Sequence, residues 1–160
     1  MRHFSIEFNR TPISGGNGGI LGIMEAFDDR IHSDSNPFVV DGYVQIVDGT
    51  NTIFPSASAR VIVNMSDVEI EFEIDEWENY PKNEFSFVHL FPYRFESSNQ
   101  EVVASRSTMD IKNPKISGIQ LLKEGDTEFS IYLAIIYKRN SDEAFQVCYC
   151  KIDPQMQINN

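Results

Sequence analysis

The sequence predicts an all-β chain, or a β chain with one short helix, folded as an antiparallel β-sandwich or small barrel of about 8–10 strands. Three observations carry this. Period-2 alternation of apolar and polar residues returns along almost the whole chain, turn-forming clusters separate the alternating runs, and a single stretch has a helical period. With 160 residues, 41% of them hydrophobic and 12 of them Phe, there is material for one packed core.

The elements follow in order. MRHFSIEFNR alternates Phe4, Ile6 and Phe8 with polar residues and reads as a strand from Arg2 to Phe8, not as the continuous apolar segment of a signal peptide. GGNGGILGIMEAFDDRI is the exception: Ile20, Ile23, Met24, Phe27 and Ile31 fall on one helical stripe with Glu25, Asp28 and Asp29 opposite. That spacing predicts a helix over 20–31, although Gly22 and the alternation through Leu21 and Ile23 also fit a strand. Further strands are predicted at Phe38–Val47, Ala59–Met65, Val68–Asp75, Glu84–Phe91, Val102–Ser107, Ile116–Lys123, Glu128–Lys138 and Ala144–Ile152.

Turns at Asp48-Gly49-Thr50-Asn51, Glu124-Gly125-Asp126 and Arg139-Asn140-Ser141-Asp142 contain residues that tolerate positive φ or bond their own backbone. Short turns predict antiparallel neighbours, so the last three strands read as a meander. Phe129–Tyr137, apolar on both faces, reads as its central strand. Residues 1–153 form the expected single domain, and the polar tail 154–160 is expected to fray.

Within VEIEFEIDEWENY, Val68, Ile70, Phe72 and Ile74 are expected to face the core, with Glu69, Glu71, Glu73 and Asp75 outside. Burying four such side chains contributes about 6–12 kcal/mol. Neighbouring carboxylates ~7 Å apart repel by roughly 0.6 kcal/mol in water. The apolar face therefore fixes the register, and a one-residue slip would bury four charges. Arg60, on the expected hairpin partner, is a candidate cation across the strand. The row continues into Glu76, Trp77, Glu78 and Tyr80, where acids surround the only Trp, a combination suited to capturing Lys and Arg.

The net charge of −11 disfavours direct binding to nucleic acid or to anionic membrane surfaces and favours basic proteins. Cys148 and Cys150 stand at i and i+2 on a strand, ~6.5–7 Å apart, at the limit for a disulfide. They read as two thiols, and a cytoplasmic location is expected. Neither thiol, paired with His3, His32 or His89, looks activated, since a buried thiol keeps a high pKa; His89 reads as a hydrogen-bonded core residue. No nucleophile elbow is present, so no catalytic residue is assigned and the chain is read as non-enzymatic.

Asp28, Asp29, His32 and Asp34 lack EF-hand or zinc spacing and read as a polar helix end with its loop. Asp28, Asp29, Asp34, Asp41, Asp48 and Asp75 could hold Ca²⁺ only if the topology gathers them. GGNGGILG departs from phosphate-loop patterns and reads as a connector. No metal or cofactor is assigned.

The expected function is an acidic binding protein, for example an inhibitor or immunity-type protein, engaging a basic protein through Glu69, Glu71, Glu73, Asp75, Glu76, Trp77, Glu78 and Tyr80. The alternatives are a pocket for an apolar ligand, a self-assembling structural subunit, and the Ca²⁺-binding sandwich.

Overall fold

In the computed structural model, residues 1–55, 60–75 and 82–160 are described. Strand β1 (Arg2–Glu7) buries Phe4 and Ile6 and turns His3, Ser5 and Glu7 outward, as its alternation requires. Helix α1 (Gly19–Ala26) buries Ile20, Ile23 and Met24. Gly22 is fixed there by close approach: a Cβ would lie 1.9 Å from the Asn17 carbonyl oxygen. The helix ends before the predicted stripe does. Phe27 leaves helical geometry, and the Asp28 carboxylate accepts the Arg30 backbone N–H at 3.0 Å, a local turn that competes with another helical turn.

Next come β2 (Phe38–Val39), β3 (Gln45–Asp48) and β4 (Asn51–Phe54). The predicted strand Phe38–Val47 is broken by a 3₁₀ turn at Asp41–Tyr43, which carries the chain from one sheet to the other. Gly49, with φ of 62°, makes the β3–β4 hairpin turn. The remaining strands are β5 (Arg60–Asn64), β6 (Glu69–Asp75), β7 (Phe87–Ser97), β8 (Thr108–Asp110), β9 (Lys115–Gln120), β10 (Gly125–Lys138), β11 (Gln146–Ile152) and β12 (Gln155–Asn159).

Two sheets pack face to face, giving the sandwich. The first runs β4-β3-β1-β6-β9-β8. The second is organised by the long β10: β7 lies along one flank, while β11 and then β12 share the other. β2 lies beside β11, and β5 beside β12. The sheets are mixed rather than antiparallel throughout, because β1–β6, β2–β11 and β5–β12 are parallel pairs.

Four aromatic rings bridge the layers. Phe4 stacks on Phe72 at 5.4 Å, Phe72 meets Phe129 at 5.6 Å, and Phe129 meets Phe95 at 5.7 Å. All four are buried, and each contributes about 1.5–3 kcal/mol of hydrophobic burial.

Several expectations need correction. β5 and β6 are not a hairpin: they belong to different sheets, joined by a 3₁₀ turn at Met65–Asp67 whose Asn64 and Asp67 side chains cap each other's backbone. Val68 consequently sits outside the strand with φ of 67° and is 66% exposed, not core-facing. Val102–Ser107 contributes only a bridge from Val103 to Leu121, because the Val102 and Val103 amides both bond the Asn99 carbonyl and form a turn. The β9–β10 connection crosses between sheets, so only β10–β11 survives from the predicted meander. Finally, 155–159 is a strand rather than a frayed tail: Met156 and Ile158, each 1% exposed, form a short apolar alternation disguised by Gln and Asn.

Candidate functional site

The outer face of β6 lies between β1 and β9, inside the first sheet. Glu69, Glu71, Glu73 and Asp75 are on this face, opposite the buried Ile70, Phe72 and Ile74. Parallel pairing sets His3 beside Glu71, Ser5 beside Glu73 and Glu7 beside Asp75. His3 bridges the row, with Nε2 3.1 Å from Glu73 and Nδ1 3.9 Å from Glu71. Lys115 Nζ reaches Glu71 at 3.7 Å. A bulge opposite Glu71, with Gly118 at φ of 71°, re-aims β9 here.

Arg60 is not the row's counterion. It lies in the second sheet, 3.9 Å from Asp126 and hydrogen-bonded to Gln157. Glu76, Trp77, Glu78 and Tyr80 lie outside the described residues. The described part of the predicted site is thus a carboxylate face with His3 and Lys115 set into its middle.

A second surface was not anticipated from the sequence. On the outer side of the second sheet, Phe87, His89 and Phe91 of β7 stand opposite Lys138, Ile136 and Ala134 of β10. Those in turn flank Val147 and Tyr149 of β11. The rings interlock: His89 stacks on Phe91 at 5.6 Å, and Tyr93 meets Tyr132 at 6.0 Å and Tyr149 at 6.2 Å. Phe145, from the β10–β11 turn, folds edge-on against Phe87 at 5.4 Å. Phe87 and Val39 remain 45% exposed and Phe145 55%.

His89 therefore belongs to an outer aromatic face and not to the core, and its Nε2 bonds the Ile111 carbonyl at 2.7 Å. The available signal was that β7 and β10 are apolar on both faces. In Phe129–Tyr137 such a pattern reads as a central strand, and it equally marks a sheet whose outer face is apolar.

Cations edge this face. Lys138 Nζ lies 4.2 Å above the Phe145 ring, and Arg94 lies 4.9 Å above Tyr132 while pairing with Glu96 at 3.0 Å. Arg139 covers the nearby Phe85 at 4.9 Å. The Tyr93 hydroxyl is buried with no hydrogen-bond partner among the described residues, and burial foremost pushes its pKa up to about 12.

The remaining candidates do other work. Cys148 and Cys150 are free and buried. Burial pushes the Cys148 thiol up to about 12 and Cys150 well above its ordinary value, with the neighbouring thiol adding to the latter, so neither is an activated nucleophile.

The aspartates are dispersed. Asp28 is held by Arg30, which lowers its pKa; Asp48 pairs with Arg2; and Asp41 accepts the Asp153 N–H at 3.1 Å. Among the described residues, no three His, Cys, Asp or Glu gather to hold a metal. A cleft of about 760 Å³ at the end of the sandwich is walled by Met24–Arg30, Tyr137 and Gln146–Cys148. Its acidic and amide side chains do not make the apolar chamber that a greasy ligand needs. No helix among the described residues is long and apolar enough to cross a membrane.

The fold and these two faces define a two-sheet β-sandwich with one carboxylate surface and one aromatic surface. Neither a family model nor a curated protein matches the sequence. Among solved structures, the chain is similar to the inclusion body protein PixA from Burkholderia cenocepacia J2315. The match has a TM-score of 0.59 and 10% identity, covering 98% of this chain and 95% of that one. The likeness is one of fold.

Proposed function

We propose that the protein is a non-enzymatic structural subunit that associates with itself through the aromatic outer face of the second sheet. The observation that carries this reading is the contiguous outer patch in which Phe87 and Phe145 are exposed and Phe91, Ile136 and Tyr149 are half-buried. Such patches on globular proteins mark association surfaces. Aromatic rings suit the role because they bury large area at low cost in side-chain entropy. The similar fold of a protein described as an inclusion body protein agrees with this reading as an analogy of architecture.

The test is light scattering and sedimentation across a wide concentration range, for the wild type and for Phe87→Ser/Phe145→Ser. The wild type is expected to grow in mass with concentration and the variant to remain monomeric. A wild type that stays monomeric throughout would end this reading.

A second reading rests on the carboxylate face, where, among the described residues, Glu7, Glu69, Glu71 and Glu73 outnumber Lys115 and His3. It is a surface for a cationic protein partner, and charge steering would make its association fast and salt-sensitive. Capture with a basic protein array, comparing wild type with Glu69→Lys/Glu73→Lys, checks it. Equal capture by both proteins would argue against it.

A further inference from the structure

We infer that copies of this chain associate head to tail, the aromatic–cationic face of one seated on the carboxylate face of the next. The inference rests on the self-association reading above and names the surface that meets the aromatic patch.

The first argument is charge. Lys138, above the Phe145 ring, and Arg139, above the Phe85 ring at the end of the same strand, have no carboxylate partner among the described residues. Most other described cations are paired, for example Arg30 with Asp28, Lys123 with Glu101 and Lys151 with Asp153. On the opposite side of the sandwich the imbalance is reversed. Among the described residues Glu69 makes no ion pair, Glu73 pairs only with His3, and Glu7 accepts only the amides of Asn9 and Gln45. Each face thus holds what the other lacks, and the sandwich keeps the two on opposite sides, where they cannot meet within one molecule.

The second argument is size. Across four strands ~4.8 Å apart, the aromatic stretch Phe87–Tyr93 runs for ~23 Å and outlines about 440 Å². A standard interface takes about 800 Å² from each partner, so this patch forms the apolar centre and the flanking cations the rim. The carboxylate face, spread over β3, β1, β6 and β9, is as wide as the aromatic one.

The consequence concerns symmetry. Two different patches facing in opposite directions make a heterologous contact, and one that does not close into a ring continues as a fibre. An aromatic face meeting its own copy would instead stop at a dimer.

The test uses two blocked variants of the full chain: Phe87→Ser/Phe145→Ser on the aromatic face and Glu69→Lys/Glu73→Lys on the carboxylate face. Circular dichroism and melting confirm folding. Sedimentation velocity should show the wild type as an open series of species and each variant alone associating at least about tenfold more weakly. An equimolar mixture should then restore a complex of two chains, because each variant keeps the face the other has lost.

If the carboxylate-blocked variant alone forms dimers as readily as the wild type, the head-to-tail inference is overturned while self-association stands. A wild type that is monomeric at every concentration overturns both. Should the lysine pair disturb folding, Glu69→Gln/Glu73→Gln removes the same charges with nearly the same shape and decides the same question.

Discussion

The carbonyl of Val68 accepts the amide of Leu121 at 3.0 Å, while the Val68 amide bonds the Met65 carbonyl at 3.1 Å. Held from both sides, Val68 adopts φ of 67° and ψ of −53°, a conformation that a β-branched residue resists. Strain of this kind costs of order 1–3 kcal/mol, and a side chain that is 66% exposed returns little through burial. Val68→Gly is therefore expected to raise stability by about 1 kcal/mol after the entropy of the more flexible unfolded chain is charged against it. Urea melts check this; a lower midpoint at unchanged slope would show that the strain is not there.

The Tyr93 hydroxyl lies among rings with no hydrogen-bond partner among the described residues. A buried polar group left unpaired costs about 1–3 kcal/mol, whereas removing it at constant shape does not. Tyr93→Phe should leave the fold intact and raise stability by about 1 kcal/mol. A loss of similar size would mean that the hydroxyl finds a partner, such as an ordered water, in solution.

Ile158 is 1% exposed, on a strand paired with both β10 and β5. Ile158→Ala is expected to cost about 2–5 kcal/mol, as for other fully buried aliphatic side chains. Asn160→Ala, one residue past the strand on an exposed side chain, should change stability by less than about 0.5 kcal/mol. Parallel thermal melts separate a load-carrying strand from a dangling tail.

The buried thiols predict a pH dependence. Cys148 keeps its proton up to about 12 in the native state, against an ordinary value of 9.0. Above the lower value the unfolded chain releases the proton and the native chain does not, so the native state binds more protons and stability falls with rising pH. The stabilising contribution is complete below pH 9, is lost progressively between about 9 and 12, and falls by about 1.4 kcal/mol per pH unit for one thiol. Cys150 shifts in the same direction and steepens the fall. The stability gap between wild type and Cys148→Ala/Cys150→Ala should therefore narrow as pH rises through this window. A gap that stays constant from pH 8 to pH 11 would contradict the burial of both thiols.

Sequence alternation revealed most strands because burial on one face leaves a period-2 record, as at Phe4 and Ile6 or Ile70, Phe72 and Ile74. It did not reveal which sheet a strand joins. Val40 and Val68 mark crossings between the layers, yet nothing in a valine announces a crossing; the turns there are set by backbone bonds and by the Asn64 and Asp67 caps. The carboxylate row was legible as exposed, but its bridging by His3 and Lys115 depends on parallel pairing with β1 and on the bulge at Gly118. The aromatic face was least legible, since His89 in its apolar run reads as a core residue, whereas Leu90 and Phe95 fill the interior side of that strand.

Pro154 divides the last stretch of chain so that a single flank of β10 serves two neighbours, β11 handing on β2 and β12 handing on β5. During synthesis β2 therefore waits for its parallel partner until residue 152 has emerged, and β5 until residue 159. Such long-range pairings slow folding and leave strand edges uncovered meanwhile. The second sheet is in this sense assembled backwards, and the vulnerable interval in the life of this protein falls between the translation of β5 and that of β12.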